Sequence, residues 1–386
     1  MMKNLLIIIV SLLLIIDNFG LSTTALFFSS WKPKNLGPIR DGPPSAPNDY
    51  GRYKKPFYVI DFSWVSPLLV DFFSLKNWDF KSISTPTYFI GVSIVNLNYE
   101  ANAFLYVIDR TNANQIYKYS SKSILAIAIK EKAKSSINGC THYRQSDTEY
   151  IRLCYNSVEK VFHIEAVVPI NGGIQLSLNC KMQFFQDTDD SMVLLYPIRQ
   201  YRPAYTHKIA ARPVKGTLKI DNQNEQLIDG LGSGDWTLGF FEHTTTWKWA
   251  SLSTNGIDSA NNQPIRIGIS LSVELYDDEN GISMENAIWI DNRVYIVDKV
   301  IFQLPSQQFQ TSQPWNFDSS VDTTNSPILH LIFHPWGSYE EHDYLLLIAI
   351  DFVQPYGTYS GTIEWLGHTY KIDNGVGVTE TNSATW

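Results

Sequence analysis

"GSGDWTLGFFEHTTTWKWAS" runs from Gly232 to Ser251 and brings three tryptophans, two carboxylates and a histidine close together. Side chains on a β-strand alternate between its two faces with a period of two. Alternation from Thr245 onward puts Trp247 and Trp249 on one face of such a strand. The stretch therefore predicts a β-strand that carries two indole rings on the same face of a sheet.

Indole rings on a shared face have two interpretations, the filling of a core and the lining of a cavity. The lining candidates in this stretch are Trp236, Trp247 and Trp249. Asp235, Glu242 and His243 accompany them, and carboxylates with an imidazole can carry out acid–base chemistry. Each of the three also has a structural interpretation, as a turn residue, a solvated strand residue and a satisfied polar group respectively. Both interpretations stay open at the level of the sequence.

The rest of the chain repeats short apolar segments bounded by Asn, Gly, Ser or Asp. Examples are "YFIGVSIVNLNYEANAFLYVID", "KVFHIEAVVP", "IRIGISLSVEL" and "YLLLIAIDFV". Many short strands without helical crossovers favour antiparallel sandwiches or barrels, and "IDNRVYIV" predicts a hairpin that turns at Asp291 and Asn292. Because the chain is too long for one ordinary barrel, we expect two domains, 57–211 and 212–386. The Pro- and Gly-containing segment Ala210–Gln223 is the expected seam.

Composition supports a globular, β-rich protein without a nucleic-acid partner. Aromatic residues make up 13% of the chain and hydrophobic residues 44%, which suits pleated sheets. The formal net charge is −8 and the 30 basic residues are scattered, so no basic stripe for nucleic acid is formed. Because the sequence contains no phosphate-binding loop, nucleophile elbow or metal-type cysteine spacing, we expect neither a metal nor an organic cofactor.

The N-terminal residues differ from the rest. Lys3 precedes the apolar run Leu5–Ile16, which is shorter than the roughly 20 residues that span a bilayer, and small residues follow it. Residues 1–25 are therefore predicted to be a signal peptide, and 26–56 a Pro- and Gly-rich linker. We expect a secreted protein, or one in the lumen of the secretory pathway, with no integral membrane domain after signal removal. A membrane anchor formed by an uncleaved N-terminus is the alternative.

The three cysteines are compatible with one disulfide. Cys140 and Cys154 flank a polar stretch that is typical of a hairpin end, and export would permit a bond between them. Cys180 would then be left as a buried thiol on a strand. The sequence leaves open whether the bond forms.

A second stretch, "ENAIWIDN", begins at Glu285 and resembles the first in combining a carboxylate with an indole. Alternation along a strand puts Glu285 and Trp289 on one face. We expect both to point to the same interior as Trp247, in the second domain. A buried Glu285 needs a hydrogen-bond donor, for which His243, Trp236 or a backbone N–H are candidates. Alternatively Glu285 lies at the strand end in solvent while Trp289 fills the core.

At this point the sequence resembles a known family, the domain of unknown function 2804 family. Gly232–Ser253 is similar to its Gly-x-x-Asp-Trp-x-x-Gly … Thr-x-Trp-x-Trp-Ala-Ser motif, and further motifs follow in the family's order. They are "KNWDF", "YTHKIAARPVKGTLKI", "ENAIWIDNRVYIV", "FVQPYGTYSG" and "GVTETNSATW". The resemblance covers roughly residues 57–386. It implies a relation to AttH, carotenoid 1,2-hydratase and cofactor-free Diels–Alderases, and so two tandem lipocalin-like barrels that handle apolar substrates.

The chain departs from the family pattern at several positions. Leu238 stands where the family usually has Arg, and Lys248 where it has Asn. In the closing tail Glu380 is retained, while Asn382 replaces a histidine. If the tail carries an acid–base function in the family, the resemblance implies that this function is lost here.

The residues and the resemblance together predict an all-β protein with two tandem lipocalin-like (calycin-type) antiparallel β-barrels. The leading function is the binding of an apolar or amphipathic small molecule, lipid or isoprenoid, in a barrel pocket. Its lining candidates are Trp236, Trp247, Trp249 and Trp289. One alternative is a cofactor-free hydratase, isomerase or cyclase, and burial would raise the pKa of its acid. The catalytic candidates are Asp235, Glu242, His243 and Glu285. A further alternative is carbohydrate binding by aromatic platforms.

Overall fold

The computed structural model describes residues 31–65, 72–112, 115–171, 173–199, 202–319, 325–345 and 348–385. The predicted signal peptide, residues 1–25, and the first five residues of the predicted linker lie outside these ranges. Within them, no helix has both the length and the apolar character needed to cross a membrane.

Antiparallel strands form two sheets that follow one another along the chain. The first contains β1 Gly51–Tyr53, β2 Leu75–Ser84, β3 Tyr88–Asn96, β4 Glu100–Asp109, β5 Ile116–Ile124, β6 Ile129–Glu131, β7 Gly139–Ser146, β8 Glu149–Asn156, β9 Val161–Ile170, β10 Ile174–Gln183, β11 Met192–Arg199, β12 Arg202–Ile220 and β13 Gln226–Phe240. The second contains β14 Thr244–Asp258, β15 Gln263–Val273, β16 Ala287–Ile290, β17 Arg293–Ile296, β18 Val300–Gln303, β19 Trp315–Ser319, β20 Ile328–Leu345, β21 Ile348–Trp365 and β22 His368–Thr385. A single turn of 3₁₀ helix spans Gln307–Phe309.

The strand order shows how each sheet is built. The first sheet runs β5-β4-β3-β2-β13-β12-β10-β9-β8-β7-β6, with β11 joined to β12 and β1 to β11. The second runs β17-β16-β15-β14-β22-β21-β20-β19-β18. Since β5 lies against β9, and β15 against β18, each sheet curls over itself into a half-barrel. The expected all-β, tandem lipocalin-like fold is confirmed.

Each sheet encloses its own apolar core, because alternate residues of its strands point inward. Ile90, Leu105 and Ile164 belong to the first core, and Leu252 and Phe333 to the second. The opposite faces of the central strands pack against the other sheet. A shared cluster there joins residues of the first sheet to residues of the second. Its members include Phe80, Phe104, Tyr106, Trp249, Tyr339, Tyr356 and Val378.

The change of sheet occurs between Phe240 and Thr244. The boundary that we expected at residues 211 and 212 falls inside β12, so the division into 57–211 and 212–386 stays a prediction. Ala211 nevertheless marks a contact between the sheets. It sits in a β-bulge with a φ of 55°, and its N–H donates to Ser253 Oγ in β14 at 2.8 Å. β1 lies within the residues expected to form the linker.

Two local features agree with the sequence pattern. β16 and β17 form a hairpin that turns at the predicted residues, with Asp291 at a φ of 52°. Asp is one of the residues that tolerate this left-handed conformation. Cys140 and Cys154 lie directly opposite each other in the β7–β8 hairpin and form a disulfide, while Cys180 is a buried free thiol.

Candidate active site between the two sheets

A cavity with a volume of about 120 Å³ lies between the two sheets. Its apolar walls are formed by aromatic rings from both sheets, namely Trp78, Phe80, Phe104, Trp247, Trp249 and Phe352. A dry cavity of about 150 Å³ holds a molecule of the size of benzene, so this one suits a single ring or a short branched chain. It lies between the two sheets, whereas we expected a pocket inside one barrel.

The tryptophans of β14 form one side of this cavity. Trp247 and Trp249 share a face of the strand as predicted, while Ala250 points the other way into the core of the second sheet. Trp247 stacks on Trp78 of β2, with ring centroids 5.7 Å apart. Phe80 meets Trp249 edge-on at 5.8 Å. The two indoles therefore serve both as the contact between sheets and as the lining of the cavity.

A buried ion cluster lies at one end of the cavity. Lys208 of β12 is directly opposite Asp235 of β13, and its Nζ lies 2.6 Å from Asp235 Oδ2. The same Nζ lies 2.5 Å from Glu285 Oε1. Trp78 Nε1 donates to Asp235 at 3.1 Å, and Ser272 Oγ donates to Glu285 at 3.0 Å. Strand pairing thus brings together charges that are distant in the sequence.

The charges of this cluster do not balance. Burial raises the pKa of Glu285, the ammonium of Lys208 opposes this rise, and the charge of Asp235 adds to it. Burial also disfavours the ammonium of Lys208, but the two carboxylates outweigh burial, so the pKa of Lys208 is raised. One ammonium between two carboxylates leaves the site with a net negative charge, which disfavours further anions and favours cations or an added proton.

Glu380 of β22 provides a third carboxyl group in the cavity. It lies opposite Trp249 in the β14–β22 pairing and is 7% exposed. Trp247 Nε1 donates to Glu380 Oε1, and Gln354 Nε2 donates to Oε2 at 2.9 Å. Burial raises the pKa of Glu380 to about 7, although both N–H donors act to lower it. Near neutral pH this group is therefore available both as a proton donor and as a proton acceptor.

The amide of Gln354 can serve Glu380 in either protonation state. Its Oε1 accepts a hydrogen bond from Tyr106 Oη at 2.7 Å while its Nε2 donates to the carboxylate. Rotated by half a turn, the amide would accept from a protonated Glu380 and donate to Tyr106. Tyr106 reaches this position because Gly91 lies beneath its ring. A Cβ at residue 91 would be 2.3 Å from the ring.

Of the residues predicted for the site, Asp235, Glu285, Trp247 and Trp249 line the cavity. Trp236 and Trp289 do not. Trp236 packs against Tyr205 on the far side of the first sheet, and Trp289 is fully buried with its Nε1 donating to the backbone oxygen of Asp190 at 3.0 Å. The strands that carry these two indoles turn them away from this cavity.

Glu242 and His243 do not line this cavity either, whereas Glu285 lines it with partners other than the expected ones. Glu242 forms an ion pair with Arg199 at the surface, and His243 is exposed in the turn before β14. Both lie beyond the end of β13, where the chain leaves the space between the sheets. Glu285 is 2% exposed but precedes β16, so strand alternation does not set its direction. Its partners are Lys208 and Ser272 rather than the expected His243 or Trp236.

Sequence reasoning missed Lys208, Gln354 and Glu380. Lys208 carries a recognisable signal, because it is the one charged residue in the otherwise apolar and neutral "YTHKIAA" segment. Glu380 carries another, since it is retained in a tail where other family residues are replaced. The tail lines the cavity through Glu380 and Asn382. A titratable carboxyl group of the tail therefore remains in place despite the substitutions.

Across the described ranges, no group of three or more His, Cys, Asp or Glu side chains is arranged to hold a metal ion. The site residues are carboxyl, ammonium, amide, hydroxyl and indole groups.

Comparison with known proteins gives a family and several remote structures. The model of the family described as "Domain of unknown function (DUF2804)" matches residues 41–386. A comparison with curated proteins finds no match.

Three solved structures resemble the chain at low sequence identity. A Nitrosomonas europaea protein described as AttH is 11% identical, with a TM-score of 0.47 over 84% of this chain and 96% of that one. Kievitone hydratase from Nectria haematococca is 11% identical, with a TM-score of 0.40 over 91% and 97%. CghA, in complex with Sch210972, is 8% identical, with a TM-score of 0.39 over 80% and 88%.

Proposed function

The chain belongs to the domain of unknown function 2804 family, and from this membership and its site we propose that it binds a small, mostly apolar molecule between its two sheets and transfers a proton to or from it. One observation carries the proposal. Glu380 is buried against aromatic rings, is held by two neutral donors, and has a pKa raised to about 7. Carboxyl groups tuned in this way are typical of catalytic acids and bases.

The chemistry follows from this geometry. With an alkene substrate, the O–H bond of protonated Glu380 breaks while the alkene π electrons form a new C–H bond. The net negative charge around Lys208 then stabilises the positive charge on the substrate. When water captures that cation, the oxonium proton passes to the Glu380 carboxylate and the product is the alcohol. When the cation instead loses another C–H proton to the same carboxylate, the product is an isomerised alkene. Both leave the carboxyl group ready for a further cycle.

The size and the lining of the cavity limit the class of molecule that it can bind. At about 120 Å³ it accommodates a ring or a short branched end rather than a whole lipid, so a longer isoprenoid would extend beyond it. Trp247 and Trp249 pack against aromatic rings of the first sheet and are not flat, exposed platforms. These features support an apolar small molecule and give no support to carbohydrate binding.

Deuterium incorporation tests the proposal across a range of candidate substrates. The protein is incubated in heavy water with a panel of cyclic enones, vinylarenes and short isoprenoid alcohols, and the recovered compounds are analysed by mass spectrometry. We expect the wild type to add deuterium or water to a compound that binds. Glu380→Gln, which keeps the size of the side chain, should bind the same compound without changing it.

Glu364→Gln is the matched control, since Glu364 is an exposed carboxyl group far from the cavity. It should turn over the same compound at the wild-type rate. Equal turnover by wild type and Glu380→Gln would exclude Glu380 as the proton donor. Binding without any turnover by the wild type would favour a carrier instead.

We also propose that the chain enters the secretory pathway. The disulfide between Cys140 and Cys154 supports this, because such bonds persist in oxidising compartments. Fusing residues 1–25 to a reporter protein tests it. Secretion of the reporter with cleavage near Ala25 is expected, and a reporter that stays in the cytosol with an intact N-terminus would contradict it.

A further inference from the structure

One end of the cavity is lined by acceptor groups. β4 turns alternate residues toward the cavity, so Glu100, Asn102 and Phe104 follow one another along its wall. Glu341 and Asp343 of β20 line the same end from the second sheet. This part of β4 therefore presents a surface to the cavity that is polar at Glu100 and Asn102 and apolar at Phe104.

Asn102 has an acceptor that the described residues do not satisfy. Its side chain is 8% exposed, and its Nδ2 donates to Glu341 Oε2. This bond sets the orientation of the amide, because the reverse orientation would put the amide oxygen against a carboxylate. Asn102 Oδ1 is then buried without a hydrogen-bond partner among the described residues. An unsatisfied buried acceptor destabilises the folded protein, so a donor from a bound molecule would be stabilised here.

The charges at this end are also unbalanced. Lys122 pairs with Asp343 and neutralises it, while Glu341 receives hydrogen bonds from neutral groups, including Ser120 Oγ at 2.8 Å. Glu100 is half-buried among these groups. Burial raises the pKa of Glu100, Lys122 lowers it, and the neighbouring Asp343 and Glu341 raise it further. A bound cation would relieve this repulsion.

The same imbalance holds for the cavity as a whole. Among the residues that the structure describes, six carboxyl groups and one ammonium group line it, beside the rings of the tryptophans and phenylalanines. Aromatic faces and carboxylates both attract cations and disfavour anions. We propose that the molecule taken up by this cavity carries a protonated amine, which binds between Glu100 and Asn102 Oδ1 while its apolar part lies against Trp247 and Phe104. This inference rests on the proposed function for the location of the ligand, and it holds whether or not proton transfer occurs.

Three probes of similar shape test the proposal by isothermal titration calorimetry at neutral pH. Phenethylamine is cationic, phenethyl alcohol is neutral and hydrocinnamate is anionic. Because a charge-assisted hydrogen bond contributes about 1.5–3 kcal/mol, we expect the amine to bind the wild type at least tenfold more tightly than the alcohol. Hydrocinnamate should bind more weakly than the alcohol. Added salt should weaken the binding of the amine alone.

Glu100→Gln supplies the matched variant. This variant should weaken the binding of phenethylamine roughly tenfold and leave the affinity for phenethyl alcohol unchanged, because it removes the charge of the side chain and keeps its shape. Glu225→Gln, at an exposed site outside the cavity, should change neither affinity. Equal affinities of the wild type for amine and alcohol would overturn the inference, as would an unchanged amine affinity in Glu100→Gln.

The outcome is separable from that of the proposed function. Preference for the amine without deuterium incorporation into any compound supports this inference and overturns proton transfer by Glu380. Deuterium incorporation into neutral compounds without preference for the amine supports proton transfer by Glu380 and overturns this inference.

Discussion

At the scale of single residues, Glu380 should give the protein a distinctive pH dependence. Its folded pKa of about 7 lies above its ordinary value of 4.5. As pH rises between these values, the unfolded chain loses this proton first, so the folded state is progressively destabilised. A shift of this size corresponds to about 3 kcal/mol. The difference in the free energy of unfolding between Glu380→Gln and wild type, measured in urea, should therefore move by about 3 kcal/mol in favour of the variant between pH 4 and pH 8.

Glu364→Gln is the control for this measurement. As an exposed variant it should show nearly the same difference from wild type at both pH values. A difference between Glu380→Gln and wild type that does not change with pH would mean that the pKa of Glu380 is the same in the folded and unfolded states, so that Glu380 is no proton donor at neutral pH.

The hydrogen bonds to Glu380 make a second prediction at this scale. The N–H groups of Trp247 and Gln354 both lower the pKa of the carboxyl group. Removing either donor, in Trp247→Phe or Gln354→Met, should shift the pKa of Glu380 above about 7. The midpoint of pH-dependent stability reports this shift. Trp365→Phe, in the core of the second sheet, should leave the midpoint unchanged, and an acidic shift in either site variant would contradict the assignment.

Lys208 should be essential to stability because of what it neutralises. Lys208→Met would leave Asp235 and Glu285 buried side by side without a cation, and removing one partner of a buried ion pair costs about 3–5 kcal/mol. The loss in urea unfolding should be smaller at acid pH, where a carboxyl group can take up a proton. Adding Glu285→Gln should recover part of it.

Lys215→Met is the control, because Lys215 lies on the same strand but forms only an exposed ion pair with Asp229. We expect the free energy of unfolding of Lys215→Met to differ from that of wild type by less than about 1 kcal/mol. A comparable loss in Lys215→Met and Lys208→Met would mean that the cluster does not depend on the charge of Lys208.

At the scale of elements, the contact of β12 with β15 depends on a glycine. A Cβ at Gly268 would lie 2.5 Å from the Cβ of Ala210 and 3.1 Å from its backbone carbon, at the bulge of β12. Gly268→Ala should force the two strands apart and lower the free energy of unfolding by about 1–3 kcal/mol. Gly42→Ala, where nothing lies within 4 Å, is the control and should have little effect. Equal stability of both variants, measured in urea, would exclude a tight contact.

At the scale of the whole molecule, the two sheets should fold as one unit. Residues 241–386 alone would expose Trp249, Tyr339 and Val378, which are buried against the first sheet. We therefore expect this fragment to lack a cooperative unfolding transition, and the whole chain to unfold in a single one. Near-ultraviolet circular dichroism and amide NMR dispersion of both proteins test this. A fragment with dispersed resonances and its own transition would show independent domains.

Properties that belong to one strand or one turn could be predicted from the sequence. Alternation placed Trp247 and Trp249 on the same face, and the Asp291 turn joined β16 to β17, because both depend on backbone geometry over a few residues. The density of short strands and the family motifs likewise predicted the all-β fold. Alternation put Glu285 and Trp289 on one face, but only Glu285 lines the cavity with Trp247. The two side chains differ because Glu285 lies in a turn before the strand that carries Trp289 begins.

Which faces meet, and what chemistry results, depends on how the whole chain folds. Glu380 lies 133 residues from Trp247, and Lys208 27 residues from Asp235, and strand pairing alone makes them neighbours. Strand register depends on the burial of whole faces, which a short stretch of sequence does not specify. The raised pKa of Glu380 is likewise a property of the assembled cavity, since burial of this carboxyl group between the two packed sheets raises it.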